Sequence, residues 1–452
     1  MGYKVYAGTM KTTNPGYFYV TDPVTSVQIA NPYEIVSKNL VYSSDIHDTS
    51  ENVILNPELT LTINELGSFT FTVPHLIFDS GIPGYRTNSF YNSIEIKKTK
   101  ITIEENDTMI FVGYVKEIEL DFNLNQVVLV EDILGMMNTG CAYIPALKYQ
   151  AWSKRHEEPG TLFRHILGQG GYDTSNRECS APYFNHVQCT VNPDQEYDRT
   201  KEGLYIDTTW NALKSLFLDV DGAYFRCRYI PGTYIDLDGT TRKLLGFAID
   251  YLSDIDDKTD QTISFGKNLL DFQYTEAVTD DLVNYITCRR DITETHTSGW
   301  WIFATTTTNT KVIFGSAENQ ESIQKYGRVY RKIINDTANS NEEMNKVCEE
   351  TLKQYKQFIE PTITVKAFDL ADTGVETDHL GFLKKTRIIS EPHNIDEWMV
   401  CTKAVLPLDK PDQKEFTYGR PPEKLTDQQA KSTTQGSHHD LSIRGLIRAA
   451  NG

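Results

Sequence analysis

ISFGKNLLDFQYTEAVTDDLVNYI, residues 263–286, is the stretch on which the reading of this chain turns. It opens as a short strand at Ile263, turns at Gly266-Lys267-Asn268, and continues through an apolar cluster of Leu269, Leu270 and Phe272. Thr279-Asp280-Asp281 reads as the start of a helix or turn, after which Val283, Tyr285 and Ile286 resume an extended pattern. Chemically the stretch is bland: it holds no nucleophile, no paired base and no metal-ligand spacing. Its information concerns architecture.

Upstream, the same β character prevails. Asn64-Glu65-Leu66-Gly67 predicts a turn into Ser68-Phe69-Thr70-Phe71-Thr72-Val73, where Phe69, Phe71 and Val73 share one face and Thr70 and Thr72 the other, the pattern of a half-buried hairpin. Between 93 and 133 short strands recur, with turns at 104–108 and 123–125, a density that suggests a small barrel or sandwich. Residues 135–205 lose the alternation; only 161–167 reads as a helix there. Trp210, Leu213, Leu216 and Phe217 predict a helix over 208–218, capped by Asp207 or Thr208, followed by strands with turns at Pro231-Gly232 and Asp238-Gly239.

Downstream, Trp300-Trp301-Ile302-Phe303 and Lys311-Val312-Ile313-Phe314 read as two short strands about a Thr-rich turn. Met344, Val347, Cys348, Leu352 and Tyr355 recur at helical spacing over 341–358, with Asn341 as cap and Glu360-Pro361 as stop. Residues 361–419 return to alternating strands, and from Arg420 the chain is polar and reads as a linker.

The chain has 452 residues, 39% hydrophobic and 23% charged, which describes a globular protein of two to four domains. Its formal net charge of −18 argues against ordinary nucleic-acid binding, which draws on Lys and Arg to displace counterions. Seven scattered cysteines without a CxxC pair are expected as reduced, buried thiols. The N-terminal residues MGYKVYAGTM lack the apolar core of a signal peptide, and no apolar run reaches membrane-spanning length. The expectation is a soluble protein made in a cytoplasm.

Several constellations invite a chemical reading. Cys179, His186 and Cys189 have ligand chemistry, but a structural zinc site takes four ligands in close pairs and no fourth is placed. Asp250, Asp254, Asp256, Asp257 and Asp260 fail the calcium-loop register, because Thr259 stands where the central Gly belongs and Phe265 where the bidentate Glu belongs; the cluster reads as a solvated turn. Trp300-Trp301 can mark a contact surface, though core packing is the commoner use. His393 reads as a turn histidine whose sequence neighbours supply no nucleophile, and His438-His439-Asp440 lies on the linker. No GxSxG, HExxH, phosphate-cradling Gly loop or redox pair occurs. The expectation is a protein with no catalytic, cofactor-binding or metal site and no cofactor.

In 263–286 the pattern FG.NLLDF…TD…N.I resembles the mid-protein signature of phage tail proteins of the minor-structural-protein, prophage-endopeptidase-tail type. The N-terminal part of that family is the baseplate or tail-tip hub, similar to the hub on the tail tube of T-even phages. LTINELGSFTFTVP (61–74), FVGYVKEIELDFNLNQVVLVEDILGMM (111–137), GAYFRCRY (222–229) before a strand ending in DYL, the YG junction at 326–327, and TVKAFDLAD (364–372) with RIISEPHNIDEWMVCTKAVLPLDKPDQKEFTYG (387–419) resemble it in consistent order. The resemblance spans nearly all of 17–419. It implies a mainly β fold with α+β insertions: two tube-like β-barrel or sandwich domains plus two peripheral insertion domains. The corresponding division is 1–133 for the first tube-like domain, 134–205 for an insertion, 206–285 completed by 361–419 for the second tube-like domain, 286–360 for a second insertion ending in a helix, and 420–452 for a polar tail.

The resemblance further implies a homotrimeric hub in the virion tail that matches a sixfold tail tube and lets DNA pass. Its expected neighbours are a distal-tail or tail-tube ring, the tape-measure protein and a receptor-binding or central fibre protein, with no membrane anchor. Family members often carry a peptidase or peptidoglycan-cutting domain after the hub; here the signature closes at Gly419 with about thirty residues left, so that activity is not expected. A trimer would carry three times −18, or −54, and acidity on a channel wall would keep phosphates from adhering. The acidic runs at 254–260 and 342–350 are expected on outer or insertion surfaces. Two other readings are a carbohydrate-binding adhesion protein of the tail, using Tyr- and Trp-rich strands, and a tail-associated cell-wall hydrolase.

Overall fold

The computed structural model describes residues 2–13, 18–30, 32–44, 52–79, 84–139, 141–144, 184–189, 205–214, 224–252, 255–275, 282–298, 305–334, 338–353, 355, 357–359, 362–410 and 413–419. The expected helix at 161–167, Cys179, the Trp300-Trp301 pair and the tail with His438-His439-Asp440 lie outside these residues. The fold is mainly β. No helix among the described residues is long and apolar enough to cross a membrane. The chain divides into two compact units, one of 1–273 with 363–419 and one built from 274–362.

The first unit is organised by one sheet, of sixteen strands among the described residues. Thirteen of them run in the order Phe184–Cys189, Thr241–Leu252, Tyr33–Ser43, Tyr3–Thr12, Lys100–Glu105, Thr108–Leu120, Gln126–Asp132, Ser68–Val73, Leu55–Thr62, Ile395–Pro407, Glu415–Tyr418, Thr362–Ala367 and Leu269–Thr275, while Tyr224–Ile235 branches from Thr241–Leu252, and Lys385–Ser390 with Lys258–Ser264 from Ile395–Pro407. Local chemistry sets the hairpins. In Ser68–Val73 burial alternates as expected, and Phe69 and Phe71 stand opposite the buried Val130 and Val128. Between Lys100–Glu105 and Thr108–Leu120 the turn residues Asn106 and Asp107 both adopt left-handed φ, 49° and 63°, as a two-residue hairpin turn requires.

The expected division into two tube-like domains does not correspond to two separate cores. Phe69 and Phe71 share one buried cluster with Ile363, Val365 and Phe416. The cause is the strand Ile395–Pro407, which pairs antiparallel with Leu55–Thr62, bringing Leu406 opposite Leu59 and Ala404 opposite Leu61. The strands of 55–73 and those of 362–367, 395–407 and 415–418 are thus continuous in sheet and core. A second cluster gathers Tyr33, Tyr114, Leu134, Trp210, Phe225 and Phe247.

The turn expected at Pro231-Gly232 is absent. Tyr224–Ile235 runs through it as one strand, paired throughout with Thr241–Leu252, and the chain reverses at 236–240. Proline is tolerated because Thr241–Leu252 is this strand's sole ladder partner among the described residues. Gly232 has a packing reason: a Cβ there would stand 2.4 Å from Val20 Cγ1. The helix expected over 208–218 is described at Thr209–Leu213, with Thr208 Oγ1 accepting from Asn211 N at 3.2 Å; Leu216 and Phe217 lie outside the described residues.

The second unit is a three-stranded sheet backed by a helix. Tyr285–Ser298 pairs antiparallel with Thr305–Glu318 and parallel with Tyr330–Ile334. The Thr-rich segment expected as a turn is instead part of the Thr305–Glu318 strand, in keeping with the β-branched side chain's fit to a pleated sheet. Helix Asn341–Lys353 buries Met344, Cys348 and Leu352 against Ile286, Cys288 and Ile313. Its first turn is held by Ser340 Oγ, which accepts from Glu343 N at 3.2 Å. Asn341, expected as the cap, instead accepts from Phe314 N at 3.1 Å. Cys288 and Cys348, Cα atoms 6.1 Å apart, are joined as a disulfide, which corrects the expectation of thiols throughout; Cys227 and Cys401 are free.

Candidate functional site

A dense polar assembly of the first unit is built around Asp369. This carboxylate is fully buried at the start of the 3-10 turn Leu370–Thr373, where its Oδ1 accepts from Ala371 N at 3.1 Å. The same oxygen accepts from Gln261 Nε2 at 2.9 Å, while Oδ2 receives His379 Nδ1 at 3.1 Å and faces Lys414 Nζ at 3.5 Å. Lys414, 1% exposed, donates to Asp372 Oδ2 at 2.6 Å. His379 Nε2 meets Asn106 Nδ2 at 2.7 Å, and its Nδ1 lies 3.8 Å from Glu105 Oε1 and 3.7 Å from Asp372 Oδ1. Gln261 Oε1 accepts from Leu370 N at 2.9 Å and Asn268 Nδ2 at 3.4 Å. Asn268 Oδ1 in turn accepts from Ser264 N at 3.0 Å, closing the turn expected at 266–268.

The electrostatics are those of a tie. Burial opposes the charge of Asp369, yet the His379 hydrogen bond, the Lys414 charge and Gln261 hold its carboxyl below the usual range. The Asp369 hydrogen bond raises His379 above the ordinary imidazole value despite burial, with Glu105 adding to it. A group whose folded pKa is raised stabilises fully below its unfolded value, about 6.5, and that contribution is lost as pH rises through the folded value. Thermal stability should therefore decline over that interval, and His379→Gln should flatten this part of the profile, as melts read across roughly pH 5.5–9 will check. The ligand atoms of Glu105, Asp372 and His379 lie within 4.8 Å of one another, a spacing that suits a metal ion. Lys414 already supplies a buried cation to one of the two carboxylates, Asp372, as well as to Asp369, so the group reads as part of an ion-pair network.

The residues singled out from sequence are placed otherwise than as a site. Asp250 is no member of a solvated turn. It is buried on Thr241–Leu252 and accepts from Arg226 Nη2 at 2.8 Å and Arg228 Nε at 2.7 Å, and Arg228 also reaches Asp22 at 2.7 Å. Asp256 and Asp257 are exposed, Asp260 Oδ1 accepts from Thr377 Oγ1 at 2.6 Å and Asp378 N at 2.8 Å, and Asp254 lies outside the described residues. His186 and Cys189 stand on strand Phe184–Cys189.

His393 does have a hydroxyl neighbour, contrary to the sequence reading: Ser390 Oγ lies 2.7 Å from its Nδ1. Ser390 is fully buried, however, and the pair spans the short 3-10 turn Glu391–His393, while the imidazole stacks on Phe272 at 4.7 Å. The bond closes a turn, and no substrate carbonyl can reach the hydroxyl. A cavity of about 720 Å³ in the first unit is walled by residues including Met109, Trp210 and Phe225. Asp132 on its wall is pushed up to about 7 by burial and accepts from Leu134 N at 2.9 Å.

No family model and no curated protein matches the chain. Among solved structures it is similar to prophage tail protein gp18 from Listeria monocytogenes EGD-e, with a TM-score of 0.41 and 13% identity over 88% of this chain and 96% of that one. It is similar to the 43 kDa tail protein of prophage MuSo2 from Shewanella oneidensis, TM-score 0.46 and 11% identity over 92% and 98%. The tail protein from Neisseria meningitidis MC58 gives a TM-score of 0.47 and 10% identity over 93% and 96%.

Proposed function

We propose that this chain is a structural hub of a phage tail tip or baseplate. The observation that carries the reading is where the resembling stretches sit. The strands cut from 61–74, 111–137, 364–372 and 387–419 are neighbours in one run of the sheet, and Leu269–Thr275 from the opening signature ends it. Stretches far apart in sequence that resemble one family thus contribute to one shared core. In this reading three copies form a ring whose halves, 1–133 and 206–285 with 361–419, are two tube-like arms on one continuous sheet. Such a ring meets a sixfold tail tube with threefold symmetry and leaves a channel for DNA. Tail-tube, tape-measure and fibre proteins are its neighbours, and acidity keeps DNA from sticking to the wall.

The measurement is the native mass with class averages of the purified protein. Three times the 51.5 kDa chain mass and threefold rings are expected, and a monomer that remains single in the presence of assembled tail tubes overturns the reading. A zymogram on cell-wall substrate should stay uncleared. Clearing that a single carboxylate or cysteine substitution abolishes would move the protein to the hydrolase class.

A further inference from the structure

Two hairpins of the first unit end in the same turn. In 120–125, Asp121 N donates to Asn125 O at 2.9 Å and Leu124 N to Asp121 O at 3.1 Å, with Leu124 left-handed at φ 63°. In 235–240, Asp236 N donates to Thr240 O at 2.9 Å and Gly239 N to Asp236 O at 2.9 Å, with Gly239 at φ 82°. The apolar positions coincide as well. Leu120 and Ile235 are 66% and 69% exposed, and Phe122 and Leu237 are 100% and 101% exposed.

Both tips are braced from within. Asp121 Oδ1 accepts from Asn123 N and Asn125 N, each at 2.8 Å, and Asp238 Oδ1 accepts from Thr240 N at 2.8 Å. A turn that needs no apolar group for its own stability presents one fully to water, twice. Leucine at a left-handed position where Gly or Asn fits more freely adds a second sign that the side chain is kept for what it touches.

We propose that the tips 120–125 and 235–240 are equivalent docking fingers that enter one kind of apolar, basic-rimmed pocket on a homo-oligomeric partner protein. Repetition argues for that occupant, because two alike keys on one chain call for two alike pockets, which a homo-oligomer supplies by symmetry. Charge argues for the rim. Glu117, Glu119 and Asp121 stand at the first tip and Asp238 at the second, whose Asp236 is paired within the chain with Arg242. Hydrogen bonds from Asn125 and Asn123 hold the Asp121 carboxyl below the usual range, and those from Thr240 do the same for Asp238, so both stay ionised. One finger buries too little for a lasting contact, whereas two on a common sheet bind as a bivalent unit.

The inference rests on the hub reading, and its test separates the two. Photo-reactive benzoylphenylalanine is placed at 122 or at 237 in the full chain, tail particles are purified, and cross-linked peptides are sequenced. The expected result is the same peptide of the same partner at both positions. Different peptides, a second copy of this chain, or no cross-link in particles that contain the chain overturns the proposal. Absence of the chain from particles overturns the hub reading, and the proposal with it. Phe122→Ser and Leu237→Ser should leave the melting temperature unchanged, yet each should reduce incorporation about tenfold to a hundredfold in competition with the native chain. Equal incorporation would count against the fingers.

Discussion

Lys414→Met should be among the most destabilising single substitutions in the first unit, by about 3–5 kcal/mol. The ammonium is 1% exposed and answers two carboxylates, Asp372 at 2.6 Å and the fully buried Asp369 at 3.5 Å. Methionine fills much of the volume, so the loss measures charge more than packing. With the ammonium gone, Asp369 keeps His379 and Gln261, but two carboxylates face each other across a space with one half-buried imidazole between them. Removing one partner of a buried pair costs more than removing both, because the survivor keeps its desolvation penalty. Asp372→Asn in the Lys414→Met background should therefore recover part of the loss. Urea unfolding of the four proteins of the cycle checks both statements, and equal stability of the native and Lys414→Met chains would remove the network from the account of this fold.

That network also marks a limit on what the sequence discloses. Asp369, His379, Lys414, Gln261 and Glu105 are spread from 105 to 414, and no local spacing joins them. The one local sign is Asp369 itself, a side chain that accepts from the amide two residues on, as Asp does at turn starts. Strand faces were legible because period-two alternation is a property of neighbours: Phe69, Phe71 and Val73 are buried as read. Helix Asn341–Lys353 was legible for the same reason, through Met344, Cys348 and Leu352.

Partners across the sheet were not legible. Alternation in 395–407 tells which side chains face inward but not that the strand lies beside Leu55–Thr62. Asp250 was misread because its two arginine partners lie on the adjoining strand, twenty-odd residues earlier, and a run of nearby aspartates suggested solvent instead. Pro231-Gly232 was misread because a turn dipeptide and an edge-strand dipeptide look alike until the ladder is known.

Leu59 and Leu406 should prove energetically coupled, and this decides whether the early and late strands that share the sheet are one mechanical body. They stand opposite each other in the Leu55–Thr62 and Ile395–Pro407 pairing, both buried in the cluster that holds Phe69 and Val365. Each Leu→Ala change should cost about 2–5 kcal/mol through lost transfer energy and the cavity left behind. Directly opposed side chains share that cavity, so the double variant should depart from additivity by about 0.5–3 kcal/mol. Two arms with separate cores would instead give costs that add to within about 0.5 kcal/mol. Coupling has a consequence for assembly. When early and late segments share one sheet, the strands paired across it cannot tilt independently, since tilting one breaks the ladder of the other. A ring built from such chains would meet its neighbours with fixed spacing between arms, and a partner would have to match that spacing on first contact. Additive costs would mean a hinge at the Leu59–Leu406 seam, and spacing set only by the partner.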